Sequence, residues 1–119
     1  MIKKVLVVDD EEKLRENVKV FLELNDYEVC TAPNGEEGLQ SARENRPDLI
    51  IADIMMPKMD GYTMLRELKF SNDLKNIPVI MLTAKDGLSD LCEIEGSAEF
   101  IVKPFELEQL LGTIKKFDS

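Results

Sequence analysis

Short apolar runs alternate with longer amphipathic segments along the whole chain. The runs are Val5–Val8, Tyr27–Thr31, Leu49–Ala52, Val79–Leu82 and Phe100–Val102. Several are rich in Val and Ile, the pattern of strands buried on both faces. Between them the apolar positions recur at helical spacing. Leu14, Val18, Phe21 and Leu22 share one face of a first helix. Leu39 and Ala42 face inward on a second helix, which follows Asn34. Met64, Leu65 and Leu68 do the same on a third, which Asp60 is placed to cap. The clearest stripe comes last: Leu107, Leu110, Leu111, Ile114 and Phe117, with Pro104 just before or at its first turn. Between Thr83 and Gly96 the pattern weakens. Leu88, Leu91 and Cys92 keep helical spacing there, but Gly87 interrupts it.

Strand and helix thus alternate five times. Such an order requires right-handed crossovers, a parallel sheet and helices on both faces. The sequence predicts an α/β fold: a doubly wound (βα)5, flavodoxin-like domain with strand order 2-1-3-4-5. In this arrangement the crevice lies beyond the carboxyl ends of the strands, at the switch between strands 1 and 3. The fourth helix is expected to be short or irregular.

Each apolar run ends abruptly in polar chemistry. Strand 1 runs into Asp9 and Asp10, strand 3 into Asp53, strand 4 into Thr83 and strand 5 into Lys103. A carboxylate is costly to bury without a partner, yet Asp53 directly follows one of the most apolar segments of the chain. Parallel strands bring these ends to one edge, so three carboxylates, a hydroxyl and an ammonium would share one crevice. Two carboxylates about 5 Å apart repel by roughly 3 kcal/mol at an effective dielectric near 20. A divalent cation relieves that repulsion. Oxygen-only ligands with positions left open suit Mg²⁺ better than a transition metal. Taken singly, each residue has a plainer reading: a solvated lysine, an acidic pair ahead of a helix, a threonine in a turn. The convergence of four strand ends on one edge favours the site. Asn34 and Asp60 are read as helix caps. Met55, Met56 and Met59 are read as core and loop packing rather than as soft-metal ligands.

Composition narrows the chemistry further. The 119 residues suit one domain, residues 1–119, and 44% are hydrophobic. No apolar stretch approaches the roughly 20 residues of a membrane span, and "MIKKVLVVDD" lacks the form of a signal peptide. A cytoplasmic protein is expected, with Cys30 and Cys92 as free thiols. The net charge of −9 argues against direct binding to nucleic acid or to anionic membranes. The chain has no histidine, which removes the commonest general base and the zinc-hydrolase and Ser–His–Asp readings with it.

The pieces "VLVVDDE", "LIIADIMMPKMDG", "VIMLTA" and "FIVKPF", in this order and spacing, resemble the receiver domain of bacterial two-component response regulators. The match covers nearly the whole chain. The resemblance implies that Asp53 is the phosphoacceptor, taking a phosphoryl group from a phosphohistidine. The donor would be a sensor histidine kinase or a histidine phosphotransfer protein. It implies that Asp10, Asp53 and the backbone carbonyl of Met55 hold Mg²⁺, with Asp9 acting mainly through a water on the metal. Thr83 would bond a phosphoryl oxygen, Lys103 would pair with Asp53 and then with its phosphate, and the Lys103–Pro104 peptide would be cis. Phe100 matches an aromatic that swings inward on activation. Output would pass through the surface around helix 4, strand 5 and helix 5, and the kinase would dock on Glu11–Leu24. A receiver of this kind is a regulator and not an enzyme, although it promotes its own phosphorylation and dephosphorylation.

The chain also departs from the family pattern. About two residues fewer than usual separate Thr83 from Lys103, with the shortfall before Gly96. Ser97 and Ala98 replace a more familiar Ala-Asp. Gly38 stands where Ala is common, at a helix cost of up to about 1 kcal/mol. Met55 and Lys85 occupy positions that tune dephosphorylation, and an apolar Met55 implies a slow one. Other functions fit less well. A haloacid-dehalogenase-type phosphatase wants an acid two residues past its nucleophile, where this chain has Met55. A flavodoxin-like binder of FMN or a nucleotide wants a Gly- or Ser/Thr-rich loop after strand 1 rather than "DDEE". An unphosphorylated docking module on the same fold is the alternative kept open. Ending at Ser119, the chain is read as a stand-alone regulator, a phosphorelay intermediate or a receiver from a longer protein.

Overall fold

The computed structural model describes residues 1–83 and 99–118. Strands β1 (Lys4–Val8), β2 (Glu28–Ala32), β3 (Leu49–Asp53), β4 (Val79–Thr83) and β5 (Glu99–Val102) form one sheet in the order β2-β1-β3-β4-β5. All four pairings are parallel. The connecting helices are α1 (Glu12–Leu24), α2 (Gly35–Asn45) and α3 (Gly61–Phe70), with a C-terminal helix at Leu107–Lys116. This is the doubly wound, flavodoxin-like order predicted above. The segment 84–98 lies outside the described residues. The expectation of a short or irregular fourth helix, and those for Lys85, Cys92, Ser97 and Ala98, fall on that segment.

Alternation along each strand divides the apolar side chains between two cores. Val5, Val7, Leu49, Ile51, Ile80, Leu82 and Ile101 pack with Val18 and Leu22 of α1 and with Leu110 and Ile114 of the C-terminal helix. Leu6, Val8, Ile50, Ala52, Val79 and Met81 pack on the opposite face with α2 and α3, through Leu39, Ala42, Met64, Leu65 and Leu68. Because β1, β3 and β4 lie inside the sheet, they are buried on both faces. That is why they read as unbroken apolar runs. The edge strand β2 keeps a polar pattern, with Glu28 exposed.

The helix starts follow local chemistry. Asn34 Oδ1 accepts from the Glu37 N–H at 2.9 Å, and Asp60 Oδ1 from the Thr63 N–H at 2.7 Å. Each satisfies a donor that the first helical turn leaves without a partner. Two expectations need correcting, for Tyr27 and Met55. Tyr27 precedes β2 rather than opening it. Pro104 does lie just before the C-terminal helix, three residues ahead of Leu107 and ahead of its N-cap Glu106. Met55 is 65% exposed and packs in no core, whereas Met56 and Met59 do lie against the α2/α3 face. Among the described residues no helix is long and apolar enough to cross a membrane.

Candidate functional site

The carboxyl edge of the sheet gathers the polar strand ends. Asp9 follows the last β1 residue, and its N–H continues the ladder to the Ala32 carbonyl at 3.1 Å. Its side chain is fully buried. Oδ1 accepts the Glu11 N–H at 2.9 Å, and Oδ2 accepts from Lys103 Nζ at 3.1 Å. The burial cost of this carboxylate is therefore offset by two donors, one of them charged. Asp53 is the last residue of β3. Its Oδ2 lies 3.0 Å from the same Lys103 Nζ, and its Oδ1 accepts from the Met55 N–H at 3.3 Å. Asp10 is exposed. One carboxylate oxygen from each of Asp9, Asp10 and Asp53 can be chosen so that all lie within 4.8 Å of one another.

Strand register delivers these groups. Asp53 pairs with Leu82, and Thr83 pairs with Val102. Thr83 and Lys103 thus stand one residue beyond Asp53 and Thr83 respectively, stepping along the edge. Thr83 is buried, and its carbonyl accepts the Lys103 N–H at 2.7 Å. The Lys103–Pro104 peptide is cis. Phe100, opposite Met81, is half-buried against the α2/α3 core.

The electrostatics follow from burial and from an excess of negative charge. Burial raises the Asp53 carboxyl above its ordinary value. Lys103 opposes that rise, and the charge on Asp9 adds to it. Burial pulls the Lys103 ammonium down, but the bonds and charges of Asp53 and Asp9 outweigh it, so the net shift is upward. Both groups hold their protons more tightly than in water.

Some residues that hold the site were not read as such in the sequence. The loop after β3 is clamped at both ends by glycine backbones. Gly61 N–H donates to the Ile54 carbonyl at 2.8 Å, and Gly35 N–H to the Met59 carbonyl at 2.9 Å. A Cβ at Gly61 would overlap the Asp53 carbonyl oxygen, and one at Gly35 the Met59 carbonyl oxygen. The dipeptides Asn34-Gly35 and Asp60-Gly61 therefore combine a cap with a close backbone approach, and the glycine after each cap was the available signal. Arg15 is the third: its Nη1 donates to the Asp9 carbonyl at 2.7 Å.

A doubly wound α/β domain with a lysine-bridged acid cluster at its switch point is thereby defined, its described side chains offering carboxylate, hydroxyl and ammonium. The sequence profile of the response regulator receiver domain matches residues 5–115, and the chain belongs to that family of phosphoacceptor signalling switches. Protein PilG of Pseudomonas aeruginosa is 40% identical over 114 residues, covering 94% of this chain and 84% of that protein. The probable transcriptional regulator ycf27 of Pyropia yezoensis is 42% identical over 117 residues, but the chain spans only 46% of its length. Among solved structures, the chemotaxis response regulator CheY4 of Vibrio cholerae superposes with a TM-score of 0.90 at 35% identity, over 98% of both chains.

Proposed function

We propose that residues 1–119 form one receiver domain in which Asp53 accepts a phosphoryl group from a phosphohistidine. The observation that carries this reading is the bridge from Lys103 Nζ to Asp53 Oδ2 and Asp9 Oδ2, within a three-carboxylate cluster. An oxygen of Asp53 bonds to phosphorus as the P–N bond breaks. The electron pair stays on the imidazole, which leaves neutral from its protonated form. Lys103 neutralises charge on Asp53 and then on the phosphoryl oxygens, and the Thr83 hydroxyl donates to one of those oxygens. The rigid end of β3 holds the nucleophile in place, so little orientation remains to be bought at the moment of reaction.

The donor set fits a hard cation: three carboxylates close together, no nitrogen or sulfur ligand among them, and one acid exposed. Asp10, Asp53 and the Met55 carbonyl would hold Mg²⁺ directly, with Asp9 acting mainly through a water on the metal. Bound there, Mg²⁺ supplies neutralisation of phosphoryl charge and alignment of that group with the carboxylate.

The domain acts as a regulator rather than an enzyme. It works in the cytoplasm and binds neither nucleic acid nor membrane directly. A cavity of about 390 Å³ lined by Glu11, Leu14, Lys103, Pro104 and Phe105 adjoins the site. It supports docking of a sensor kinase or a histidine phosphotransfer protein along α1. Output passes through Phe100 and the surface of β5 and its flanking helices.

Intact-protein mass spectrometry with Mg²⁺ and acetyl phosphate tests the reading. A single phosphoryl adduct is expected on the wild type, and none on Asp53→Asn or without metal. An adduct that persists in Asp53→Asn would place the acceptor elsewhere.

A further inference from the structure

We propose that Arg15 is a positioning residue for the acidic cluster. Its guanidinium fixes the Asp9–Asp10 peptide, and so sets where the Asp10 carboxylate stands. This inference deepens the cation-dependent reading above and rests on it.

The two acids are held very differently. Asp9 is buried, and its N–H and both carboxylate oxygens have partners supplied by β2, by the start of α1 and by Lys103. Asp10 is exposed. Packing does not hold its side chain, so its direction depends on its backbone. The peptide that joins the two residues is planar, and the Asp9 carbonyl oxygen and the Asp10 nitrogen share that plane. Fixing the oxygen therefore fixes the plane from which the Asp10 Cα departs. Arg15 Nη1 binds that oxygen at 2.7 Å, at the short end for an N–H···O bond. The arginine is itself anchored, because its N–H closes the first turn of α1 onto the Glu11 carbonyl at 3.0 Å. Arg15 as a whole is half-buried. The result is a brace from the first turn of α1 back to the strand end.

A positioning role and a simple charge effect have opposite signs. A guanidinium beside a cation site repels the cation, so a neutral replacement should tighten binding if charge were its whole contribution. If Arg15 holds Asp10 in place, the same replacement weakens binding. Residues that orient ligands without touching the metal typically change affinity by about 10- to 100-fold.

The test is titration of unphosphorylated wild type, Arg15→Met and Arg15→Lys with Mg²⁺ alone, followed by amide NMR. Urea unfolding of each variant is measured alongside. In the cation-free protein, the Asp9 carbonyl ¹³C and Asp10 ¹⁵N resonances report the bond directly. Arg15→Met is expected to bind Mg²⁺ about tenfold more weakly and to move both resonances, with its urea transition still cooperative. Arg15→Lys, which supplies one donor without the planar fork, is expected to recover part of both effects. Equal or tighter Mg²⁺ binding in folded Arg15→Met overturns the proposal, as do unmoved Asp9 and Asp10 resonances. If Arg15→Met does not fold, Arg15→Gln and Arg15→Lys carry the same two readouts. A wild type that binds no Mg²⁺ sinks the cation reading instead, and the two resonances still decide the role of Arg15.

Discussion

No side chain fits between Gly61 and Asp53. A Cβ on Gly61 would overlap the Asp53 carbonyl oxygen and come within 2.9 Å of the Met81 methyl. The first turn of α3 therefore rests directly on the backbone of Asp53, the proposed phosphoacceptor. Gly61→Ala must push α3 and β3 apart. It is expected to lower stability by about 1–3 kcal/mol, the range for overpacking, and to slow labelling by acetyl phosphate while the protein remains folded. Urea unfolding and timed mass spectrometry measure the two effects. Wild-type labelling in a destabilised Gly61→Ala would mean that the contact supports the fold alone.

The raised Asp53 carboxyl makes a pH prediction. A folded acid that binds its proton more tightly than the unfolded chain loses stability as pH rises through that window. Burial is the main cause here, and the charge on Asp9 adds to it. Asp53→Asn removes this penalty and leaves Lys103 paired with Asp9. The variant is expected to be more stable than wild type at pH 7 by about 1 kcal/mol, the usual scale of a single substitution. The gap should close as pH falls below the ordinary aspartate value of 3.8, because wild-type Asp53 is then neutral in both states. Denaturant melts at pH 7 and pH 3.5 read this directly. A constant gap at both values would argue against a charge origin.

Lys103 bridges two carboxylates, one fully buried. Lys103→Met leaves both without the ammonium. The expected loss is about 3 kcal/mol, the lower end for removing one partner of a buried pair. With the repelling ammonium gone, Mg²⁺ should bind more tightly, and ligand linkage should return part of the stability. Thermal melts with and without added Mg²⁺ make the comparison. The variant should gain more from Mg²⁺ than wild type does. An equal gain would mean that Lys103 does not compete with the cation. In wild type the folded ammonium also titrates above 10.5, so its contribution is full below that value and is lost as pH rises past the folded one.

Gly38 reverses an expectation from the sequence. There it stands as a helix residue weaker than Ala by up to about 1 kcal/mol. In the fold a Cβ at Gly38 would lie 2.9 Å from Met64 Sδ and 3.0 Å from Val8 Cγ2, both fully buried side chains. Gly38→Ala is therefore expected to destabilise by about 1 kcal/mol, overpacking outweighing the gain in propensity. A more stable Gly38→Ala in urea would show that Met64 moves aside freely.

Strand order and most of the cluster were legible because one signal served both. Wherever an apolar run broke into Asp9, Asp53, Thr83 or Lys103, the break marked a strand end and a candidate for the crevice. Pattern alone could not reveal contacts between distant backbones. Gly35 and Gly61 look like ordinary turn glycines until Met59 and Asp53 lie against them. Arg15 reads as a charge on a helix, and only the end of β1 shows what it binds. Met55 failed for a different reason. Its apolar side chain suggested packing, but the loop that ties its N–H to Asp53 turns the residue toward solvent.

The pairing of Asp53 with Leu82 and of Thr83 with Val102 has a consequence for quality control. A slip of one residue in either pair would turn every side chain of a strand to the wrong face. Buried leucines and valines would meet the opposite core, and the acid, hydroxyl and ammonium would fall out of step. A sheet misaligned by one residue therefore loses the chemistry and the packing together. A copy of this chain able to receive a signal has, by that ability, already proofread its own fold.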